Sequence, residues 1–98
     1  MMAWVFYDIT EDSTRNKVAS LCLDYGLMRV QKSVFCGEIS QKTLSELSGR
    51  IRKTVEGTEG DESVMFLPVC ENCITGVVSV GKPFSPEKFR YPRLIIIG

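Results

Sequence analysis

The stretch Trp4-Val5-Phe6-Tyr7-Asp8 constrains the fold more than any other part of the chain. Aromatic and β-branched side chains suit a pleated, covered surface, so the stretch reads as a buried strand spanning Ala3 to Ile9. Successive side chains of a strand point to opposite faces, which puts Phe6 and Asp8 on one side and Val5 and Tyr7 on the other. Bulky groups on both faces require something packed against each. The strand also runs straight into a carboxylate. Burying it unpaired is costly, so Asp8 must be solvated, hydrogen-bonded to nearby backbone, or bound to a cation.

The rest of the chain supplies the layers this strand needs. Thr10 to Thr14 is a polar, cap-rich run that starts a helix. Val18, Leu21, Cys22 and Tyr25 recur at three- and four-residue spacing on one face of that helix, and Gly26 ends it where a left-handed residue is needed. Leu27 to Ile39 alternates, with an interruption at Gln31 to Ser33, as a tight hairpin of two strands would. Ser40 caps a second helix with the stripe Leu44, Leu47, Ile51 and Val55. The acidic, glycine-bearing run Glu56 to Glu62 reads as a solvated loop, and Ser63 to Val69 as a fourth strand.

Strand, helix, strand, strand, helix, strand is the order of the ferredoxin-like fold, an α+β βαββαβ domain with two helices on one face of a four-stranded antiparallel sheet. The other face is left open and carries large apolar groups, which makes it a candidate interface. Beyond Val69 the reading predicts a short strand at Gly76 to Val80. Three prolines make Lys82 to Arg93 extended, and an exposed Leu94-Ile95-Ile96-Ile97 would be an aggregation hazard. That segment is expected to add a C-terminal strand to a sheet edge in a partner subunit. Residues 1–80 are thus assigned to the domain and 81–98 to a C-terminal extension.

At 98 residues the chain has material for one core. Twelve Lys and Arg balance twelve Asp and Glu, so no overall basicity announces a nucleic-acid partner, although basic residues can still share one face. No apolar run is long enough to span a membrane, and Met1-Met2-Ala3-Trp4 has neither the basic start nor the apolar core of a signal peptide. The expected location is cytoplasmic, with Cys22, Cys36, Cys70 and Cys73 as thiols. There is no histidine. Histidine-dependent nucleophilic and general-base machinery is therefore excluded, and catalysis must run on carboxylates, a thiol, Lys, Tyr or a metal-bound water.

Asp8, Glu11 and Asp12 crowd the junction of the first strand and first helix. Glu11 and Asp12 suit the positive end of the helix. Asp8 stands at the strand end, where a rigid element can hold a group beside an accessible loop. Arg15, Lys17, Arg29 and Lys32 gather nearby. A carboxylate able to hold Mg²⁺ beside such cations suits a phosphodiester, and a set of solvated ion pairs is the competing reading. Cys70-Glu71-Asn72-Cys73 supplies half of a zinc site and lacks the preceding strand and long following helix of a thioredoxin-like unit, so small buried thiols are expected there.

The ordered pieces Tyr7-Asp8-Ile9, Arg15-Asn16-Lys17-Val18, Tyr25-Gly26-Leu27-Met28-Arg29 and Gln31-Lys32-Ser33-Val34-Phe35, followed by Gly37, are together fairly specific. Over about the first three quarters of its length the chain resembles the Cas2 family, the small CRISPR-associated proteins of spacer acquisition. The resemblance implies a ferredoxin-like homodimer that brings two copies of Asp8 together across a cleft, where Mg²⁺, or Mn²⁺ in its place, would bind. Asp8 would then be metal ligand and catalytic carboxylate. Arg15 and Arg29 would hold phosphate, and Tyr7 and Phe35 would shape the cleft. Lys17 stands where some relatives carry Arg, a poorer group for bidentate contact. The implied activity is metal-dependent endonuclease cleavage of RNA, DNA or both. The alternative is a non-catalytic dimeric scaffold that bridges subunits of the CRISPR integrase Cas1 and binds DNA backbone, a role that need not use Asp8. A toxin-like ribonuclease of the related VapD type is a more distant reading.

Overall fold

In the computed structural model, which describes residues 1–58 and 62–81, the opening strand β1 (Met2–Asp8) is paired along both edges. Six further elements follow: α1 (Asp12–Asp24), β2 (Met28–Gln31), β3 (Val34–Glu38), α2 (Gln41–Val55), β4 (Ser63–Val69) and α3 (Glu71–Thr75). The sheet order is β2-β3-β1-β4 and every pairing is antiparallel, the ferredoxin-like arrangement expected from the element order. Val5 lies opposite Phe35 on one side and Phe66 on the other, while Trp4 lies opposite Cys36 and Leu67.

Both helices pack against the face that carries Ala3, Val5 and Tyr7. With Phe35, Val18, Cys22, Leu44, Leu47 and Ile51 these residues form the main core, and Leu21, Tyr25, Val55, Val64 and Phe66 close its margins. The predicted helical stripes are therefore the packed ones. Ser40 caps α2 as expected, its hydroxyl accepting from the Thr43 N–H at 3.1 Å. The end of α1 is a Schellman turn. Gly26 takes φ +84°, its N–H reaches the Leu23 carbonyl at 2.9 Å, and the Leu27 N–H reaches that of Cys22 at 3.0 Å. Leu27 then seats so closely over β3 that a Cβ at Gly37 would stand 2.8 Å from its Cδ2 and 3.2 Å from its Cα. A bare backbone at Gly37 makes that approach possible.

Beyond β4 the chain makes a helical turn at Glu71–Thr75, and the short strand expected after it at Gly76 to Val80 does not form. The run Gly76 to Val80 has strand-like composition but forms no strand, and Val78 and Val80 are 87% and 95% exposed. The turn at Glu71–Thr75 satisfies its own backbone and gives Ile74 a buried place. Ile74 is 1% exposed and forms a second, smaller core with Met2 and Cys36 on the face opposite α1 and α2. That face is accordingly open only in part. The proposed terminal strand at Leu94 to Ile97, and the extension as a whole beyond Gly81, lie outside the described residues. Among the described residues no helix is long and apolar enough to cross a membrane.

Leu47 is fully buried between α2 and the sheet, while Leu23 on α1 is exposed. Leu47→Ala should lower unfolding free energy by about 2–5 kcal/mol, the range for emptying a buried leucine site. Leu23→Ala should stay within about 0.5 kcal/mol of the parent. Urea denaturation of the two variants measures both.

Candidate functional site

Asp8 ends β1 opposite Ser63, exposed, on the same face as Trp4 and Phe6. The Trp4 and Phe6 rings stack with centroids 6.0 Å apart, so the carboxylate closes an aromatic row. Asp8 is exposed and has no side-chain hydrogen bond or ion pair among the described residues. Its backbone is held from both sides. The Tyr7 N–H donates to the Ser33 carbonyl at 3.1 Å, and Thr10 is clamped by Glu62, which accepts from the Thr10 N–H at 3.1 Å and from its hydroxyl at 2.9 Å.

The loop between β1 and α1 is tied down by Arg15. Its Nη1 donates to the Ile9 and Thr10 carbonyls at 3.3 and 3.4 Å, and its Nη2 pairs with Asp12. Glu11, in the N-cap position, accepts from the hydroxyls of Thr14 and Ser13. Those two hydroxyls, Thr14 first, hold the Glu11 carboxyl below its ordinary value. Glu11 and Asp12 thus serve the helix start, as their position suggested.

Arg29, Phe35 and Tyr7 form a column on the helix-facing side. The Arg29 guanidinium carbon lies 5.1 Å from the Phe35 ring centre, Phe35 and Tyr7 stack at 6.2 Å, and the Tyr7 hydroxyl donates to the Lys32 carbonyl at 3.4 Å. Tyr7 is 6% exposed and Phe35 not at all. Strand parity sets the two rings under the helices, on the face of the sheet opposite Asp8. Arg29 is exposed at its end of the column, and Lys17 lines a shallow depression with Asn16, Ser20 and Thr54.

Asp8 is a hard oxygen donor, the chemistry Mg²⁺ prefers, and this ion is commonly held by one or two carboxylates with water and phosphate completing the shell. Among the described residues no three His, Cys, Asp or Glu side chains gather to hold a metal. One chain thus fits the ion through Asp8 alone and needs further ligands from elsewhere. Thr10 and Glu62 are the pair that sequence reading missed. They are 52 residues apart, and the acidic run containing Glu62 carries no local sign that one of its members reaches back to β1.

These features define a class: a ferredoxin-like domain with a solvent-facing carboxylate at the end of its first strand and an arginine-stapled loop beside it. The family model for CRISPR associated protein Cas2 matches residues 1–77. A Pyrobaculum aerophilum protein named CRISPR-associated endoribonuclease Cas2 2 is 39% identical over 83 residues, covering 85% of this chain and 89% of that protein. A Thermoproteus tenax protein named CRISPR-associated endonuclease Cas1/endonuclease Cas2 fusion is 38% identical over 64 residues, 65% of this chain and 24% of the fusion. The crystal structure of Streptococcus pyogenes Cas2 at pH 6.5 superposes with a TM-score of 0.71 at 29% identity, covering 83% of this chain and 100% of that one. The chain belongs to the Cas2 family of CRISPR-associated proteins.

The Glu11 contacts carry a pH signature. A carboxyl lowered in the folded state stabilises the fold above its unfolded value, and that contribution is lost as pH falls through the folded one. Glu11→Gln should therefore lower the melting temperature at neutral pH. The gap between variant and parent should close as pH falls below the ordinary value of 4.5. Thermal melts from pH 7 to pH 3 measure it.

Proposed function

We propose that this protein is a Mg²⁺-dependent endonuclease of CRISPR adaptation that works as a homodimer, with Asp8 from each of two copies holding one ion, Mn²⁺ being the alternative. The observation that carries the reading is Asp8 itself: a carboxylate exposed and without a side-chain partner among the described residues, at the end of a strand paired on both edges. The relatives named as endoribonucleases support phosphodiester cleavage.

When bound, the ion supplies charge neutralisation at the phosphate and activation of the attacking water. Asp8 orients it, because the Tyr7–Ser33 and Thr10–Glu62 hydrogen bonds on either side restrict the strand end. Arg15 holds a phosphate oxygen by giving up Asp12, an exposed partner whose loss costs little. Arg29 is the second phosphate contact. Its cation–π seat on Phe35, itself stacked on Tyr7, fixes the guanidinium, so the two rings position a binding group without touching substrate.

A second reading rests on the Thermoproteus tenax fusion, in which a Cas2 segment is joined covalently to a Cas1 segment. A dimeric scaffold between Cas1 subunits that binds DNA backbone would use the same fold without chemistry at Asp8. Both roles fit one protein.

Asp8→Asn keeps the strand and removes the charge. Cleavage of RNA or duplex DNA in Mg²⁺ is expected to fall about 100-fold or more, beyond what even partners that merely orient metal ligands usually contribute. An unchanged rate across pH would sink the site assignment. Spacer acquisition in cells carrying the same substitution separates the readings. Retained acquisition leaves the scaffold role standing alone in adaptation, and loss with an intact Cas1 complex makes Asp8 chemistry necessary.

A further inference from the structure

Cys70 and Cys73 do not behave as the small buried thiols expected from the sequence. Cys22 and Cys36 do: both are fully buried, and burial pushes their thiols up to about 11 and about 12. Cys70 and Cys73 are exposed, and their Sγ atoms lie 3.1 Å apart. A strand does precede the motif, since β4 ends at Val69, although the helix that follows is a single short turn.

We propose that Cys70 and Cys73 form a reversible dithiol–disulfide site that reacts by exchange with small-molecule disulfides. Three observations carry it. The two sulfurs need to approach by only about 1 Å to reach bonding distance, within the reach of side-chain rotation. The turn that sets their spacing is closed by its own backbone, the Cys73 and Ile74 N–H groups reaching the Cys70 carbonyl at 3.1 and 3.2 Å. Ile74 anchors that turn in the core formed with Met2 and Cys36, which leaves the pair facing solvent.

The sulfurs are not equivalent. The contact between the two sulfurs lowers the Cys70 thiol and raises that of Cys73, and in the proposed sequence Cys70 attacks first. It attacks one sulfur of a disulfide RSSR, forming a Cys70–SR mixed disulfide and expelling RS⁻. Cys73, as its thiolate, then attacks the Cys70 sulfur, forming the Cys70–Cys73 bond and expelling the second RS⁻. The protein loses two electrons and two protons, and RSSR becomes two RSH. In a reducing compartment the resting state is the dithiol, and the disulfide forms as the disulfide pool rises.

The test uses the full chain, reduced and then equilibrated in glutathione buffers of increasing oxidised fraction, read by intact mass, peptide mapping and Trp4 fluorescence. Trp4 is the one tryptophan and packs against the core that holds Ile74. The expected product is a chain lighter by two hydrogens, with the bond mapped to Cys70 and Cys73, a shifted emission and full reversal by dithiothreitol. Cys73→Ser should accumulate a glutathione adduct on Cys70, and Cys70→Ser one on Cys73, because each variant lacks the second thiol that resolves the mixed disulfide. Persistent adducts on the parent chain or disulfide-linked copies would each overturn the proposal. So would tight Zn²⁺ held by the thiols of two copies and blocking exchange. Unchanged circular dichroism of both variants guards against misfolding as the cause.

Discussion

Hydrogen bonding of β1 along both edges is the constraint on which the remaining structure depends. With β3 on one side and β4 on the other, the strand cannot shift register without breaking two ladders and exchanging its faces. Those faces are unequal. Ala3, Val5 and Tyr7 are sealed under the two long helices, whereas on the other side burial fades along the strand, from Met2 through Trp4 and Phe6 to the exposed Asp8. Ile74 covers the Met2 end. A carboxylate is tolerable at the far end because the gradient has run out there, and it keeps its hydration.

The same parity divides the residues that the family resemblance grouped together. Asp8 and the Arg29–Phe35–Tyr7 column belong to opposite faces, with the β1–α1 loop and Arg15 at the end where the two sides meet. The arginines differ in what binding would cost. Arg29 can retain its ring contact while its exposed nitrogens contact an anion. Arg15 already donates to two carbonyls and to Asp12, so it serves as a loop staple until a phosphate competes. Because Asp12 is largely exposed, that ion pair is worth at most about 1 kcal/mol, and exchange is energetically easy.

The elements legible in the sequence are those with local causes. Ser40 caps α2, Gly26 closes α1, and Leu44, Leu47 and Ile51 mark the packed stripe, each readable within a few residues. What escaped reading depends on distant partners. Glu62 sits in an acidic run whose composition says loop, and only the fold brings it to Thr10. Val77, Val78 and Val80 have strand propensity but join neither outer edge of the sheet, β2 or β4, while Ile74 just before them is buried from a helical turn. The cysteines failed for a related reason. An apolar thiol is buried by default, but a turn anchored through Ile74 leaves its neighbours at the surface.

Two deficits remain on the open face, and they coincide. Met65 and Leu67 of β4 are exposed beside the Trp4–Phe6 row, an apolar strip of the kind that marks interfaces. At the end of that row stands Asp8, the exposed carboxylate proposed to share a divalent cation with a second copy. A partner of different sequence could cover the first deficit and leave the second. A second copy related by a two-fold axis near Asp8 addresses both, since an isologous contact sets the same strip against itself and brings a second Asp8 with it. In the proposed dimer, apolar burial on this surface would supply the affinity, and the paired carboxylates, which would repel one another without a cation, would tie tight association to metal.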